Sequence, residues 1–469
     1  MDKFYITTTL PYVNSDPHIG FAMEIIRADV IARAERSKGN KVWFNTGTDE
    51  HGQKIYQKAT EEGVLPQEYC NLFAEKFKGL KEKLNLSYDT FIRTTDEKHI
   101  KAAQDFWIAC FNNGDIYKKN YQIKYCVGCE LEKTDSDLVE NKCPDHPNSD
   151  LELRDEENYF FRFSKYQEKL LDFYKNNPNF VYPDFRMKEI TNFVEAGLTD
   201  FSISRLKTKM PWGIEVPGDP DQVMYVWFDA LVNYISVLGW PDSSEFSDWW
   251  PGTQVCGKDN LRQQSAMWQA MLMSAGLPNS KRIYVNGFIL SNGVKMSKSL
   301  GNVVDPLVWV EKYGTDAVRY FLLSALSSFE DGDATEERFR DIYTAGLVNG
   351  LGNLIARVAA MAEKSGFEIE EQSKVTDTEV LQAIEDYNFS LAIEHIWKKI
   401  KNADTIINEK AVWSLTGTDQ KEILTDLVGI IRQVAVDLET LLPETSKKIL
   451  SQFSSGKILK SEHLFPRLK

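Results

Sequence analysis

Residues Phe4 to Gly52 read FYITTTLPYVNSDPHIGFAMEIIRADVIARAERSKGNKVWFNTGTDEHG, and this stretch decides the fold. Phe4-Tyr5-Ile6-Thr7-Thr8 is aromatic and β-branched, the composition of a strand. Ser15-Asp16-Pro17 then supplies an N-cap with proline in the first helical turn. Ile19, Ala22, Ile26 and Val30 keep helical spacing until Gly39 ends the run. A second strand, Lys41-Val42-Trp43-Phe44-Asn45, runs into the loop Gly47-Thr48-Asp49-Glu50-His51-Gly52. Strand, helix, strand in this order is a βαβ unit and implies a parallel sheet.

Outward from this unit the texture changes twice. From about Asp115 to Trp212 cysteines, aromatics and mixed charges crowd together. The β pattern then returns at Met224-Tyr225-Val226-Trp227-Phe228 and at Arg282-Ile283-Tyr284-Val285, so the middle stretch reads as an insertion into a split α/β domain. After about Asp341 strand signals nearly vanish. Leu347, Leu351, Leu354 and Val358 keep helical spacing, as do Leu424, Leu427, Ile431, Val434 and Leu438, which predicts a helical bundle. The expected fold is therefore α/β, a doubly wound, Rossmann-like parallel sheet with an insertion, followed by an α-helical bundle. The expected boundaries are 1–114 and 213–294 for the two halves of the α/β domain, 115–212 for the insertion, 295–340 for a linking segment and 341–469 for the bundle.

Composition narrows the class. Of 469 residues, 42% are hydrophobic and 26% charged, the mix of a globular protein with a sizeable core. No unbroken apolar run approaches the ~20 residues that span a bilayer. The start has no basic stretch followed by an apolar one, so a cytoplasmic, non-membrane protein is expected. A net charge of −14 argues against a protein that coats nucleic acid through bulk charge, although a local basic patch can still dock one. Cys126, Cys129 and Cys143 crowd together while Cys70, Cys110 and Cys256 stand alone, which suits a metal site in a reducing compartment.

Three constellations carry chemistry. Pro17-His18-Ile19-Gly20 lies where a strand hands over to a helix, and helix N-termini present free N–H groups and a positive dipole end to phosphate. Gly20 lets a ligand approach, and His18 can donate to a phosphoryl oxygen. Lys295-Met296-Ser297-Lys298-Ser299, between Gly293 and Gly301, makes a cationic clamp for a polyphosphate. Cys126-Val127-Gly128-Cys129, thirteen residues, then Cys143-Pro144-Asp145-His146 is a C-x2-C…C-x2-H pattern. Three thiolates and one imidazole at these spacings form a closed, structural zinc site, Cys126, Cys129, Cys143 and His146.

The first two motifs, in this order and one in each half of a split α/β domain, resemble the HIGH and KMSKS signatures of the class I aminoacyl-tRNA synthetases. Through TTTLPYVN, TGTDEHG, EENYFFR, YVWFDALVNY, GKDNLRQQ, KMSKSLGN and GNLIAR the chain resembles the methionyl branch of that family. The resemblance implies a ligase that adenylates L-methionine with Mg²⁺-ATP and passes it to tRNA(Met). It assigns catalysis to His18, Lys295 and Lys298, and ATP to His18, Gly20, Phe21, Gly257, Asp259, Lys295, Met296, Ser297 and Lys298. Methionine falls to Leu10, Tyr12, Asp49, Trp227, Ala230, Leu231, Tyr234 and Gln264, with Asp49 as anchor of the ammonium and apolar walls for a polarizable thioether. Asn353 and Arg357, four apart on one helix face, and Trp413 would read the anticodon by edge contacts and stacking.

The family's zinc knuckle falls in the insertion, which is too short for a hydrolytic editing domain, and the knuckle is expected to stand away from the adenylate pocket. Two positions depart from the pattern: Phe21 stands where the HIGH signature ends in histidine, and Gln264 where a pocket histidine is common. The chain stops soon after the bundle, so an appended dimerising domain is not expected and a monomer is. Two other readings stay open, a related nucleotidyl-transferring enzyme for another substrate and a tRNA-binding protein that has lost catalysis. Tyr12, Trp227 and the helical tail speak against the first, the lysine loop against the second.

Overall fold

The computed structural model describes residues 2–133, 137–296, 302–370, 374–454 and 456–468. The chain forms two compact units. The first comprises Met1–Pro17, Asn40–Leu80 and Tyr88–Val285; the second comprises His18–Gly39, Lys81–Ser87 and Asn286–Lys469.

In the first unit a six-stranded sheet is built from β1 (Lys3–Thr8), β2 (Lys41–Thr48), β3 (Thr90–Arg93), β4 (Val181–Tyr182), β5 (Thr253–Gly257) and β6 (Arg282–Asn286), in the order β3-β2-β1-β5-β6-β4. β1 pairs in parallel with β2 on one side, Phe4 opposite Val42, and with β5 on the other, Ile6 opposite Thr253. The winding thus reverses between β1 and β5, and ligands of such sheets bind outside the carboxyl ends of the strands at that reversal. β1 is buried from Tyr5 to Thr8, the continuous burial of a central parallel strand rather than the alternation of an edge. The core is aromatic: Trp107 meets Phe228 at 5.2 Å and Phe106 meets Trp268 at 5.5 Å between ring centroids.

Within the first unit a separate antiparallel sheet joins Leu131–Lys133, Ile116–Cys126, Glu152–Phe161 and Phe201–Ser202. Its long ladder runs from Ile116 opposite Phe161 to Tyr125 opposite Glu152. One sequence expectation fails close by. The stretch Met224–Phe228 is a strand only to Met224, and Val226–Ala230 is helical. Val and the aromatics favour strands by local preference, but packing of this segment into the aromatic core overrides it.

In the second unit α1 (Ile19–Ser37) is buried nearly all round, charged residues included. Arg27 donates to Asn286 Oδ1 at 2.8 Å and to the carbonyls of Leu326 and Ser327 at 3.0 and 3.1 Å. Asp29 pairs with Arg33 and Arg319, both at 2.8 Å. Burial raises its carboxyl, and these guanidiniums more than reverse that. The bundle is built on α2 (Glu336–Ser365), α3 (Phe389–Glu409) and α4 (Gly417–Leu438). By length and composition alone α2 could cross a membrane, but half of its most apolar window is buried inside the unit. Leu347, Leu351, Leu354 and Val358 on α2 are fully buried, as befits the central helix of a bundle.

Candidate active site and metal centre

The chain leaves β1 beside β5, where the Thr9 N–H donates to the Val255 carbonyl at 3.2 Å. Leu10 follows, and Tyr12 forms a parallel bridge with Asp49 at the end of β2. The Asp49 N–H donates to Pro11 O at 3.0 Å and Val13 N–H to Asp49 O at 3.1 Å. Asp49 is buried, and its Oδ1 has no hydrogen-bond partner. Burial, with Asp229 nearby, pushes its carboxyl well above the usual range. Burial drives this carboxyl toward its neutral form, and a cation placed beside it would favour the charged one.

The loop after Asp49 is tied to the helical segment that carries the expected thioether walls. His51 Nδ1 lies 2.6 Å from Asp229 Oδ2, His99 Nε2 lies 2.8 Å from Asp229 Oδ1, and His99 Nδ1 meets Ser236 Oγ at 2.9 Å. Burial pushes the Asp229 carboxyl up, and the two imidazoles hold it below the ordinary value. Trp227, Ala230, Leu231 and Tyr234 recur at helical spacing around Asp229. Trp227 is half-buried and its Nε1 has no partner, whereas Tyr234 is buried in the core. Gln264 Nε2 donates to the Tyr234 hydroxyl at 2.6 Å and Gln264 Oε1 accepts from Gln254 at 3.2 Å, so glutamine closes this wall by hydrogen bonding. Gly257 ends β5 at the winding reversal, where a Cβ would fall 2.7 Å from Asp259 Oδ1.

The start of α1 differs from expectation. The cap is His18, not Ser15 or Asp16: its Nδ1 accepts from the N–H groups of Gly20 at 3.1 Å and Phe21 at 3.4 Å. The Ile19 N–H donates to Val304 O at 3.0 Å. The free N–H groups expected here are therefore taken, because an imidazole acceptor sits one residue before the helix and outcompetes the more distant side chains. An Nδ1 that accepts puts the ring proton on Nε2, the donor edge of the exposed His18. At Gly20 a Cβ would lie 3.0 Å from His18 Nδ1 and Cε1, so glycine makes room for the ring. Phe21 is buried.

Also in the second unit, Ile289–Ser291 and Val294–Lys295 pair across Asn292-Gly293, both at positive φ, the signature of a tight hairpin turn. Lys295 Nζ stands 4.6 Å over the Phe288 ring, and Met296 is half-buried. Ser297 and Lys298 lie outside the described residues. The chain is described again from Asn302, and two residues later the Val304 carbonyl accepts from the first N–H of α1.

Cys126, Cys129, Cys143 and His146 bring their ligand atoms within 4.8 Å of one another. Cys129 Sγ lies 3.4 Å from Cys143 Sγ and 3.2 Å from His146 Nδ1, and Cys126 Sγ lies 3.7 Å from that nitrogen. Tetrahedral zinc with bonds of about 2.3 Å to sulfur and 2.0 Å to nitrogen sets such edges at roughly 3.5–3.8 Å. The donor set fits. At Gly128 a Cβ would come 2.4 Å from the His146 ring, so glycine is required for the imidazole to close the knuckle. The knuckle does not stand clear of the pocket, however: Glu130, next to Cys129, accepts from the Tyr12 hydroxyl at 3.2 Å. The antiparallel ladder folds the knuckle back onto the segment after β1, which local spacing could not reveal.

In the bundle Asn353 is exposed, and Arg357 pairs with Asp404 at 3.0 Å and donates to Asn408 at 2.8 Å. Trp413 stands five residues beyond Asn408 and is 52% exposed.

The profile of the family described as tRNA synthetases class I (M) matches residues 4–150 and 147–359. The chain belongs to the methionyl class I tRNA synthetases. It is 40% identical to the methionine–tRNA ligase of Thermotoga maritima over 98% of this chain and 77% of that one. It is 41% identical to that of Thermosynechococcus vestitus over 96% and 89%. Its fold superposes on Mycobacterium tuberculosis methionyl-tRNA synthetase in complex with methionyl-adenylate with a TM-score of 0.92, at 35% identity and full coverage of both chains.

Three buried groups bonded to the expected methionine residues or to the loop after Asp49 went unnoticed in the sequence. His51 and Asp229 lie inside the quoted motifs TGTDEHG and YVWFDALVNY but carried no spacing signal of their own. Glu130 had one faint mark, an acidic residue directly after a C-x2-C knuckle.

Proposed function

We propose that this chain, a methionine–tRNA ligase, binds methionine at the winding reversal of its parallel sheet and adenylates it there before charging tRNA(Met). The observation that carries the reading is the partnerless Oδ1 of buried Asp49. An α-ammonium supplies the missing counter-charge, and Leu10, Tyr12, Trp227, Ala230 and Leu231 take the thioether, with Gln264 and Tyr234 completing the wall.

The methionine carboxylate oxygen attacks the α-phosphorus of ATP. A bond forms there, the bond from that phosphorus to the bridging oxygen breaks, and pyrophosphate leaves. Charge growing on the phosphates is met by the Nε2–H edge of His18 and by Lys295 and Lys298, donors aimed where charge develops. Gly20, Phe21, Gly257, Asp259, Met296 and Ser297 shape the nucleotide's surroundings. Magnesium bound with ATP would supply further neutralisation of phosphate charge. The terminal adenosine of tRNA then takes the methionyl group and AMP leaves. Asn353, Arg357 and Trp413 read the anticodon; the exposure of Trp413 supports a stacking role.

Zinc on Cys126, Cys129, Cys143 and His146 would cross-link the insertion. The division of labour is nucleotide chemistry in 1–114 and 213–294, the knuckle in 115–212, the lysine loop and stem contact in 295–340, and the anticodon in 341–469. The protein acts as a cytoplasmic monomer; three cysteines grouped as metal ligands and three buried thiols outside any disulfide support a reducing compartment.

Methionine-dependent ATP–pyrophosphate exchange over a panel of amino acids, with charging of tRNA(Met) alongside, tests the reading. Exchange with methionine above all others is expected. Preference for another amino acid, or tRNA binding without exchange, overturns it.

A further inference from the structure

Glu130 sits at a convergence that neither zinc binding nor the pocket residues account for. It directly follows the ligand Cys129 and is 5% exposed. Its Oε1 accepts from the Tyr12 hydroxyl at 3.2 Å and from the Lys54 N–H at 2.8 Å; its Oε2 accepts from the Tyr125 hydroxyl. Its backbone carbonyl accepts from the Tyr225 hydroxyl at 2.9 Å. Three phenols from three distant segments thus end on one residue. Tyr12 follows β1, Tyr125 lies on the insertion sheet, and Tyr225 precedes the helical turn that carries Trp227. Arg205, also buried, lies over the rings of Tyr125 and Tyr225 at 5.2 and 4.9 Å and packs them from one side.

The backbone sharpens the case. Glu130 has φ of 53°, the left-handed region that glycine occupies without strain. A glutamate held there is held for its side chain. That side chain fixes the phenol of Tyr12 against the loop after Asp49: a Cβ on Gly52 would lie 2.5 Å from the Tyr12 hydroxyl and 3.4 Å from Glu130 Oε1. Tyr12 in turn forms the backbone bridge with Asp49.

We propose that Glu130 is a positioning residue of the amino-acid pocket: carried on the metal knuckle, its carboxylate orients Tyr12 and thereby sets the affinity for methionine. The inference rests on the assignment of Tyr12 and Asp49 to methionine. A purely structural glutamate would staple the insertion and touch every activity alike. A positioning glutamate acts on methionine and leaves ATP alone.

The test uses the full-length, zinc-loaded protein in ATP–pyrophosphate exchange, with metal content measured for each variant. Glu130→Ala removes both acceptors and should raise the methionine KM by about tenfold or more, since buried phenol donors lose their partner. The ATP KM and one zinc per chain should persist. Glu130→Gln keeps an amide oxygen for Tyr12 and Lys54, and should restore most of the affinity. Tyr12→Phe should raise the methionine KM on its own, yet add little in the Glu130→Ala background, as expected for residues acting through one contact.

An unchanged methionine KM in Glu130→Ala, equal rises for methionine and ATP, loss of zinc, or additive effects would each overturn the proposal. If Glu130→Ala does not fold, the pair Glu130→Gln and Tyr12→Phe decides: a normal methionine KM in Tyr12→Phe sinks it. A wild-type protein without methionine-dependent exchange would defeat the functional reading itself, an outcome distinct from exchange that Glu130 does not influence.

Discussion

Asp49 shows what a single carboxylate can do when burial leaves one of its oxygens without a donor. Burial and Asp229 raise its pKa, favouring the neutral carboxyl, and binding of an ammonium would bring it back down. Asp49→Ala should leave that ammonium buried and unpaired, a loss of several kcal/mol. Exchange kinetics should record a methionine KM higher by about 100-fold or more, with the ATP KM little changed; a near-normal methionine KM would remove Asp49 from the anchor role. At this scale the sequence was readable only where a motif pointed. Asp49, Trp227 and the cysteines stand out as candidates because they sit in recognisable strings. Asp229 and Glu130 do not, since what distinguishes them is burial and convergence of partners far apart in the chain. Phe21 could be named as a departure, but only the fold shows that the ring is buried.

The elements divide into those whose local preference agrees with their surroundings and those whose does not. β1, α1 and β2 were legible because strand composition, helical period and turn residues all pointed one way. The strand expected over Met224–Phe228 gives way to a helical turn from Val226, since its aromatics serve a core that sequence spacing does not describe. The start of α1 lies two or three residues later than the capping residues in the sequence suggest, at His18. His18 caps the helix through Nδ1; in the proposed function it also presents Nε2–H to phosphate, and the two duties can be separated. His18→Asn restores a good cap and should keep the thermal midpoint near wild type, whereas His18→Ala should lose about 0.5–2 kcal/mol of stability. Both should lose adenylation rate; an active His18→Asn would reduce this histidine to a cap. The knuckle gives a second test. Cys126→Ser should lower metal content from one zinc per chain and, because Glu130 hangs from the same loop, raise the methionine KM as well as impair tRNA charging. Zinc-free native protein with full activity would dismiss the metal centre.

Across the whole molecule, alternation of strand and helix followed by pure helix was visible from hydrophobic period alone. The sheet order β3-β2-β1-β5-β6-β4 was not, because it is written in pairings between residues some 250 positions apart. Net charge of −14 was equally silent about RNA, whose reading is local. Trp413, half in solvent on the bundle, is the simplest probe of that surface. Trp413→Ala should cut kcat/KM for tRNA by roughly 10- to 100-fold through lost stacking, with methionine adenylation untouched; unchanged charging would return the ring to an ordinary surface role. The burial of Arg27 in α1 has a consequence for how the chain is made. Its guanidinium is satisfied by Asn286 and by carbonyls at Leu326 and Ser327, up to 300 residues downstream. At translation rates of about 5–20 residues per second, those acceptors leave the ribosome roughly 15–60 s after the helix does. For that interval the nascent chain holds a segment whose native burial partners have not yet been made. Burial of α1 is therefore completed by the last third of synthesis rather than the first.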